Sequence, residues 1–238
     1  SNHILILGEE NFLILLIKEV IMDPKIEKRF ENTSKSKTFQ NIVRIFDLDK
    51  KAVLDIGCSF GEFVARFGKG STGITITKDE VTYGRGKGLD IRYGNIESDD
   101  FVLEEKYDAI FANNLFEHLY SPHNFLCKIK KYLKPNGILI LGVPCIPKIV
   151  SLLHINKFRG SMAVAHINFF TRDTLVKTVE RGGWKPITTR GFHFASKAID
   201  HLLDPIYPHF YVVATPDPDF KYSEKRMKEL VGYIDIHK

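Results

Sequence analysis

The residues best suited to chemistry fall into two groups. Asp55 closes the short apolar run AVLDI and is followed by Gly57 and Gly61 in GCSFG. Glu117 and His118 stand side by side in NNLFEHLY, and His166 opens HINFFT further along. A glycine turn after a strand brings the backbone close to a ligand, because no Cβ intervenes and positive φ costs little. A dinucleotide site would want G-x-G-x-x-G, with a helix amino end for the pyrophosphate. Here Ser59 and Glu62 occupy the second and third glycine positions. Carboxylates around the loop repel a pyrophosphate and attract a ligand that carries an ammonium group. S-adenosylmethionine is such a ligand. The imidazoles of His118 and His166 can act as a base if an acceptor hydroxyl or acidic carbon must lose its proton. A purely structural role for Glu117 and His118, capping the turn and packing the loop, stands beside that reading.

Strands alternating with helices would position these groups. AVLDI reads as the first strand, with a tight loop and a helix after it. STGITIT (71–77) reads as the second strand and 78–85 as a helix. The glycines of YGRGKG end that helix, since no apolar strand precedes them as a phosphate loop would require. Residues 89–93 and 107–113 give the third and fourth strands, and 122–133 an amphipathic helix. Pro135, Asn136 and Gly137 turn the chain into a fifth strand at 138–143. Thr171 caps a helix at 172–181; strands at 186–194 and 209–215 follow, with a helix between them ended by Pro205. Such alternation implies a parallel sheet with right-handed crossovers. Ahead of it, the spacing of Phe39, Ile42, Val43, Ile45 and Phe46 predicts a helix from about 35 to 46.

Bulk properties bound the answer loosely. The 238 residues suffice for one large α/β domain, and a net charge of +5, spread along the chain, permits an anionic partner without arguing for one. Cys58, Cys127 and Cys145 show no CxxC pair and no zinc-like spacing with His, so no metal is expected and a reducing, cytoplasmic setting is the natural reading. The apolar stretch 1–22 is broken by Glu9, Glu10 and Lys18, which argues against a membrane span. A strand or helix packed on the domain, or on a homodimer partner, fits it better, with a substrate-side flap as the sharper reading.

Four segments in order, VLDIGCSFGEF, NNLFEHLYSP, YLKPNGILILGVP and HINFFTRDTLVKTVERGGW, resemble class I S-adenosylmethionine-dependent methyltransferases of the small-molecule kind, over about residues 45–190. The resemblance implies a Rossmann-like, doubly wound α/β fold: a seven-stranded, mostly parallel sheet of order 3-2-1-4-5-7-6, its last strand antiparallel, with helices on both faces. Together with the reading of the flanking residues, this gives an N-terminal helical or cap segment at 1–47, a methyltransferase domain at 48–217 with an acceptor-side insertion at 144–170, and a peripheral helix at 218–238. Asp55 would orient the methionine ammonium, with Gly57, Cys58, Ser59, Gly61 and Phe63 around it. Thr75 stands where an acid usually takes the ribose hydroxyls, as in the G-x-T-x-S/T strand of fatty-acyl cyclopropane synthases and their relatives, with Ile76 next to it. Asn95 and Ile96 would meet the adenine, and Asn113 the methyl end. Glu117, His118 and His166 are the catalytic candidates, and Lys148, His154, Lys157, Phe158, Arg159 and Met162 suit an acceptor with anionic and apolar parts.

The implied reaction is O- or C-methylation of a metabolite, sugar or lipid-like precursor, leaving S-adenosylhomocysteine. RNA methylation is one alternative; amino-methylation of nucleic acid is disfavoured, because NNLF stands where N/D-P-P-Y/F/W would be needed. A non-catalytic, cofactor-binding regulator is another. A nicotinamide dehydrogenase is opposed by the missing middle glycine.

Overall fold

A computed structural model describes residues 24–149 and 165–225. The strand, helix or flap expected at 1–22, the insertion residues 150–164 and most of the C-terminal helix therefore lie outside the described residues. Seven strands form one sheet: β1 (Val53–Ile56), β2 (Thr72–Thr75), β3 (Ile91–Tyr93), β4 (Tyr107–Asn113), β5 (Leu133–Pro144), β6 (Trp184–Arg190) and β7 (His209–Pro216). Their order is β3-β2-β1-β4-β5-β7-β6, as the resemblance implied. The first five run parallel, and β7 is antiparallel to both β5 and β6.

Among the described residues, the helices around the sheet include α1 (Pro24–Ser34), α2 (Lys37–Phe46), α3 (Lys78–Gly86), α4 (Pro122–Ile129), α5 (Arg172–Arg181) and α6 (Lys197–Leu203). Alternate strand residues feed two separate cores, as the two-residue period of a strand dictates. Leu54, Ile110, Leu139, Leu141 and Val212 pack with Phe125, Leu126 and Ile129 of α4 and with Leu175 and Val179 of α5. Val53, Ala109, Phe111, Ile140 and Val213 pack with Phe39 and Ile42 of α2. Burying each such side chain contributes about 1.5–3 kcal/mol, which fixes α2 against the opposite face. Among the described residues no helix is long and apolar enough to cross a membrane.

Three local expectations are corrected. After the glycine loop the chain makes only a 3-10 turn, Val64–Arg66, before Gly68. The interval is too short to nucleate a full helix, and Gly68 donates to Leu48 O at 2.9 Å where the chain presses on the 50–51 backbone. The helix expected at 122–133 ends at Ile129 and passes into a 3-10 turn, Lys130–Tyr132. β5 begins at Leu133, which pairs with Tyr107; the register then shifts so that Ala109 meets Ile138, and the Pro-Asn-Gly turn is absorbed as an irregularity inside the strand. The charged run ahead of α2 forms α1, which the sequence reading did not assign to a helix.

Candidate active site

A cleft of about 590 Å³ crosses the carboxyl ends of β1 to β4, from the loops after β2 and β3 to the turn after β4. That is where open parallel sheets bind ligands. Gly57 turns the chain at the end of β1 with φ of 80°, and its amide donates to Ile74 O at 2.9 Å, so the loop is clamped to β2. Ser59 and Asn114, both lining the cleft, also sit in the left-handed region, with φ of 50° and 53°. Non-glycine residues held there carry backbone strain and concentrate at functional sites.

Asp55 lies just behind the lining, 1% exposed, and its Oδ2 has no hydrogen-bond partner. Burial, and then the nearby Glu62 carboxylate, push its pKa well above the ordinary carboxylate range. Glu62 is itself buried and raised by burial, with Arg29 of α1 at 3.5 Å as partial compensation. A buried carboxylate in this state is costly until a cation reaches it.

On the far side of the loop Thr75 Oγ1 donates to Glu80 Oε2, and Ser59 Oγ donates to Glu80 Oε1 at 3.1 Å. Glu80 also lines the cleft. It sits in the first turn of α3, one turn beyond the β2 end, so a carboxylate stands beside the position that Thr75 occupies. The sequence reading missed it; the signal was an acid five residues after Thr75 on a helix that starts at Lys78. Ile76, Asn95 and Ile96 line the cleft, and Asn95 Oδ1 accepts from Glu97 N at 3.0 Å, which holds the loop after β3 in a local turn. Glu97 in turn accepts from the Tyr120 and Ser121 amides at 3.1 and 2.7 Å, tying that loop to the start of α4.

Four of the expected cofactor residues are placed differently. The Cys58 side chain points into a small core with Val64, Val81 and Ile91, where burial raises its thiol pKa. It fits there because β2 carries Gly73, whose added Cβ would lie 2.6 Å from Cys58 Sγ. Phe63 packs on Phe39 and Phe111 of the opposite core, with ring centroids 4.5 and 5.2 Å apart. Gly61 abuts Leu89 and Ile91, where a Cβ would come within 2.9 Å of each, so it serves close packing on β3. Asn113 faces Gly142 and Tyr211, and its Oδ1 is buried without a partner; the next residue, Asn114, is the one that reaches the cleft.

The catalytic candidates are brought together. Phe116–His118 form a 3-10 turn after β4. The HINFF segment is clipped to that turn by Ile167 N and Asn168 N, which both donate to Glu117 O at 3.0 and 2.9 Å, and by Asn168 Nδ2, which donates to Leu119 O. Phe170 stacks on Phe116 with centroids 5.3 Å apart. Glu117 is 1% exposed, and neither carboxylate oxygen has a hydrogen-bond partner. Its pKa is raised, mainly by burial, with His118 and His166 among the opposing influences. His118 Nε2 lies 3.8 Å and His166 Nε2 3.9 Å from Glu117 Oε1. His118 Nδ1 meets Ala165 O at 3.0 Å; a carbonyl can only accept, so this nitrogen carries the hydrogen. Only His118 of the three lines the cleft. Lys148, from the insertion, pairs with Asp173 at 3.3 Å on the surface.

The arrangement offers a buried anion for an ammonium group, a carboxylate beside polar hydroxyls, an apolar loop residue in Ile96, and an imidazole at the far end of one cleft. The methyltransferase domain family is matched over residues 28–189. Curated relatives include the ubiquinone biosynthesis O-methyltransferase of Actinobacillus pleuropneumoniae, 35% identical over 39% of this chain and 45% of its own length. The (S)-coclaurine N-methyltransferase of Papaver somniferum is 32% identical over 41% of this chain and 30% of its own. The chain thus spans less than half the length of these two relatives. Among solved structures, a S-adenosylmethionine-dependent methyltransferase from Clostridium acetobutylicum superimposes with a TM-score of 0.58 over 76% of this chain and 91% of that one, at 11% identity. A Thermotoga maritima methyltransferase gives 0.56 over 81% and 95%, at 16% identity; both likenesses concern the fold. With the family match covering more than half of the chain, the chain belongs to the methyltransferase domain family.

Proposed function

We propose that the protein transfers the methyl group of S-adenosylmethionine to an oxygen or carbon of a small-molecule acceptor. The observation that carries this reading is the continuity of one cleft from Thr75, Glu80 and Asn95 to Asn114, His118 and Tyr120. The curated relatives named for ubiquinone biosynthesis and for coclaurine support a small acceptor.

The residues fit the cofactor. Asp55, buried and without a partner at Oδ2, answers an ammonium group; Glu80, ordered by Thr75 and Ser59, answers a vicinal diol, since a carboxylate accepts from two hydroxyls at once. Ile96 offers an apolar surface to a purine, and Asn95 keeps a lone pair on Oδ1 beyond its bond to Glu97. When bound, the cofactor supplies an activated methyl group on a positively charged sulfur. The protein's part is alignment: the Gly57 turn, clamped to Ile74, and the Phe116–His118 turn, clamped by Ile167 and Asn168, hold the two ends of the cleft at fixed separation, and such positioning accounts for much of the rate gain in a direct displacement.

The test is incubation with methyl-labelled S-adenosylmethionine and fractionated cell extract. Label recovered in a low-molecular-mass product is the expected result. Label confined to RNA, or no transfer to any fraction despite tight cofactor binding, overturns the small-molecule reading.

A further inference from the structure

Glu117 is the least explained polar group in the protein. A carboxylate 1% exposed with both oxygens unbonded leaves a large desolvation cost uncompensated. Two imidazole nitrogens approach it at 3.8 and 3.9 Å, too far for hydrogen bonds and at the same oxygen. The His118 tautomer is fixed by Ala165 O, so the unprotonated nitrogen of a neutral ring is Nε2, the one that faces Glu117. A lone pair of His118 and a ring nitrogen of His166, brought to one oxygen of a buried carboxylate, make poor sense as a contact between themselves. They make good sense around a cation.

We propose that Glu117, His118 and His166 hold a divalent transition-metal ion at the methyl end of the cleft, with its remaining coordination positions open to an oxygen of the acceptor. This rests on the small-molecule reading above. The three ligand atoms lie within 4.8 Å of one another, the closest such group among the described residues to a metal set. Bonds of about 2.0–2.2 Å to zinc place neighbouring ligand atoms of a tetrahedron roughly 3.4 Å apart. The 3.8 and 3.9 Å separations from Glu117 exceed that by a few tenths of an ångström, and the set as a whole spreads to 4.8 Å, so the two imidazoles must also draw together around the ion. Two imidazoles and one carboxylate form a borderline donor set suited to zinc, manganese or iron(II), and three protein ligands leave the site open, as in catalytic rather than structural centres.

The surroundings are those of a metal site. The hydrogen bond from His118 Nδ1 to Ala165 O is the outer-shell contact that orients a ligating imidazole. The Glu117 carbonyl accepts two backbone amides from the HINFF segment, so the carboxylate and His166 are carried on turns locked to each other. The way in is on the His118 side, where the side chain is 39% exposed while His166 is 13% exposed. The sequence singled out the three residues as catalytic candidates but not as ligands, because no spaced ligand motif joins His166 to the Glu-His pair.

An ion there would bind an acceptor hydroxyl oxygen, favouring loss of its proton to water. The oxygen would then keep the electron pair that forms the new bond to the methyl carbon, as the carbon–sulfur bond breaks with its pair passing to sulfur.

The test is direct binding of Zn²⁺, Mn²⁺ and Co²⁺ to the metal-stripped full chain by calorimetry, with visible absorption of the Co²⁺ form reporting imidazole ligation. One equivalent per chain is expected, with affinity falling at least about tenfold in His118→Asn and in His166→Asn. S-adenosylmethionine affinity should remain within about twofold of the unsubstituted chain in both variants, so loss of the metal site is separable from loss of the cofactor site. Glu117→Gln is the third variant; the histidine variants decide the matter should its buried amide prevent folding. No ion bound by the unsubstituted chain, or binding unchanged in both histidine variants, overturns the proposal. Intact metal binding with no small-molecule transfer would instead refute the proposed acceptor class alone.

Discussion

Replacing Asp55 with Asn separates what the carboxylate does for the ligand from what it costs the fold. In the folded chain its pKa is raised, first by burial and then by Glu62. A raised carboxylate gives stability that is fully present below its unfolded pKa and lost as pH rises through the folded value. The apoprotein should therefore gain from Asp55→Asn, and the gain should widen with pH. Removing an uncompensated buried charge is worth about 1–3 kcal/mol, equivalent to a melting-temperature rise of roughly 2–4 °C for each kcal/mol in a chain of this size. Cofactor affinity should move the other way. A hydrogen bond to a charged group contributes about 1.5–3 kcal/mol, so Kd for S-adenosylmethionine should rise on the order of 10- to 150-fold. Calorimetry and thermal melts across pH 6 to 9, an interval of about three units around neutrality, measure both. In the unsubstituted chain, tightening of cofactor binding with rising pH and proton release on binding complete the picture. An Asn variant that melts lower at every pH and binds the cofactor unchanged would refute the argument.

Three further outcomes are expected. Glu80→Ala should weaken S-adenosylmethionine binding by about tenfold or more, with Thr75→Val costing less because it removes only the hydroxyl that orients the acid; equal Kd values in titration would show that Glu80 merely braces Ser59. Gly57→Ala should lower both stability and cofactor affinity, since φ is 80° and the new Cβ would sit 3.3 Å from Leu115 Cβ; the left-handed conformation alone costs about 1–2 kcal/mol, readable in urea melts. Asp200→Ala should destabilise by about 3–5 kcal/mol, because Arg190 Nε lies 2.7 Å from Asp200 Oδ2 with both side chains under a tenth exposed; a loss below about 1 kcal/mol in chemical denaturation would mean the guanidinium finds water.

The sheet was readable because each strand carries its own signature: VLDI, TGIT and YDAIFAN are short apolar runs set between helices, and the Thr171 cap marks α5 to the residue. Backbone position alone brings Gly57, Thr75, Asn95 and Ile96 to the cleft, at strand ends or in the loops that follow them. Side-chain direction was not readable. Cys58 turns inward because Gly73 vacates the space beneath it, a fact of the neighbouring strand. Asn113 and Asn114 exchange roles because the left-handed turn at Asn114 rotates the chain by one residue relative to the strand alternation. Glu80 and the Glu117–His166 approach are tertiary: no local pattern announces that an acid on α3 will meet Thr75, or that HINFF will dock on the turn after β4.

The charged α1 helix is fastened to the domain through Glu27 and Arg29. Glu27 meets Tyr83 and Lys87 of α3 at 2.7 and 2.8 Å, and Arg29 Nη2 donates to Ser59 Oγ at 3.0 Å while lying over the Phe60 ring. Ser59 is thus shared between a surface helix and the cleft. Any ligand that recruits the Ser59 hydroxyl competes with Arg29 for it, and any ligand that tightens the loop strengthens the seat of α1. Cofactor occupancy and helix attachment are then a single thermodynamic cycle, in which protection of the α1 amides from hydrogen exchange reports on a site that the helix meets through Arg29 and Ser59.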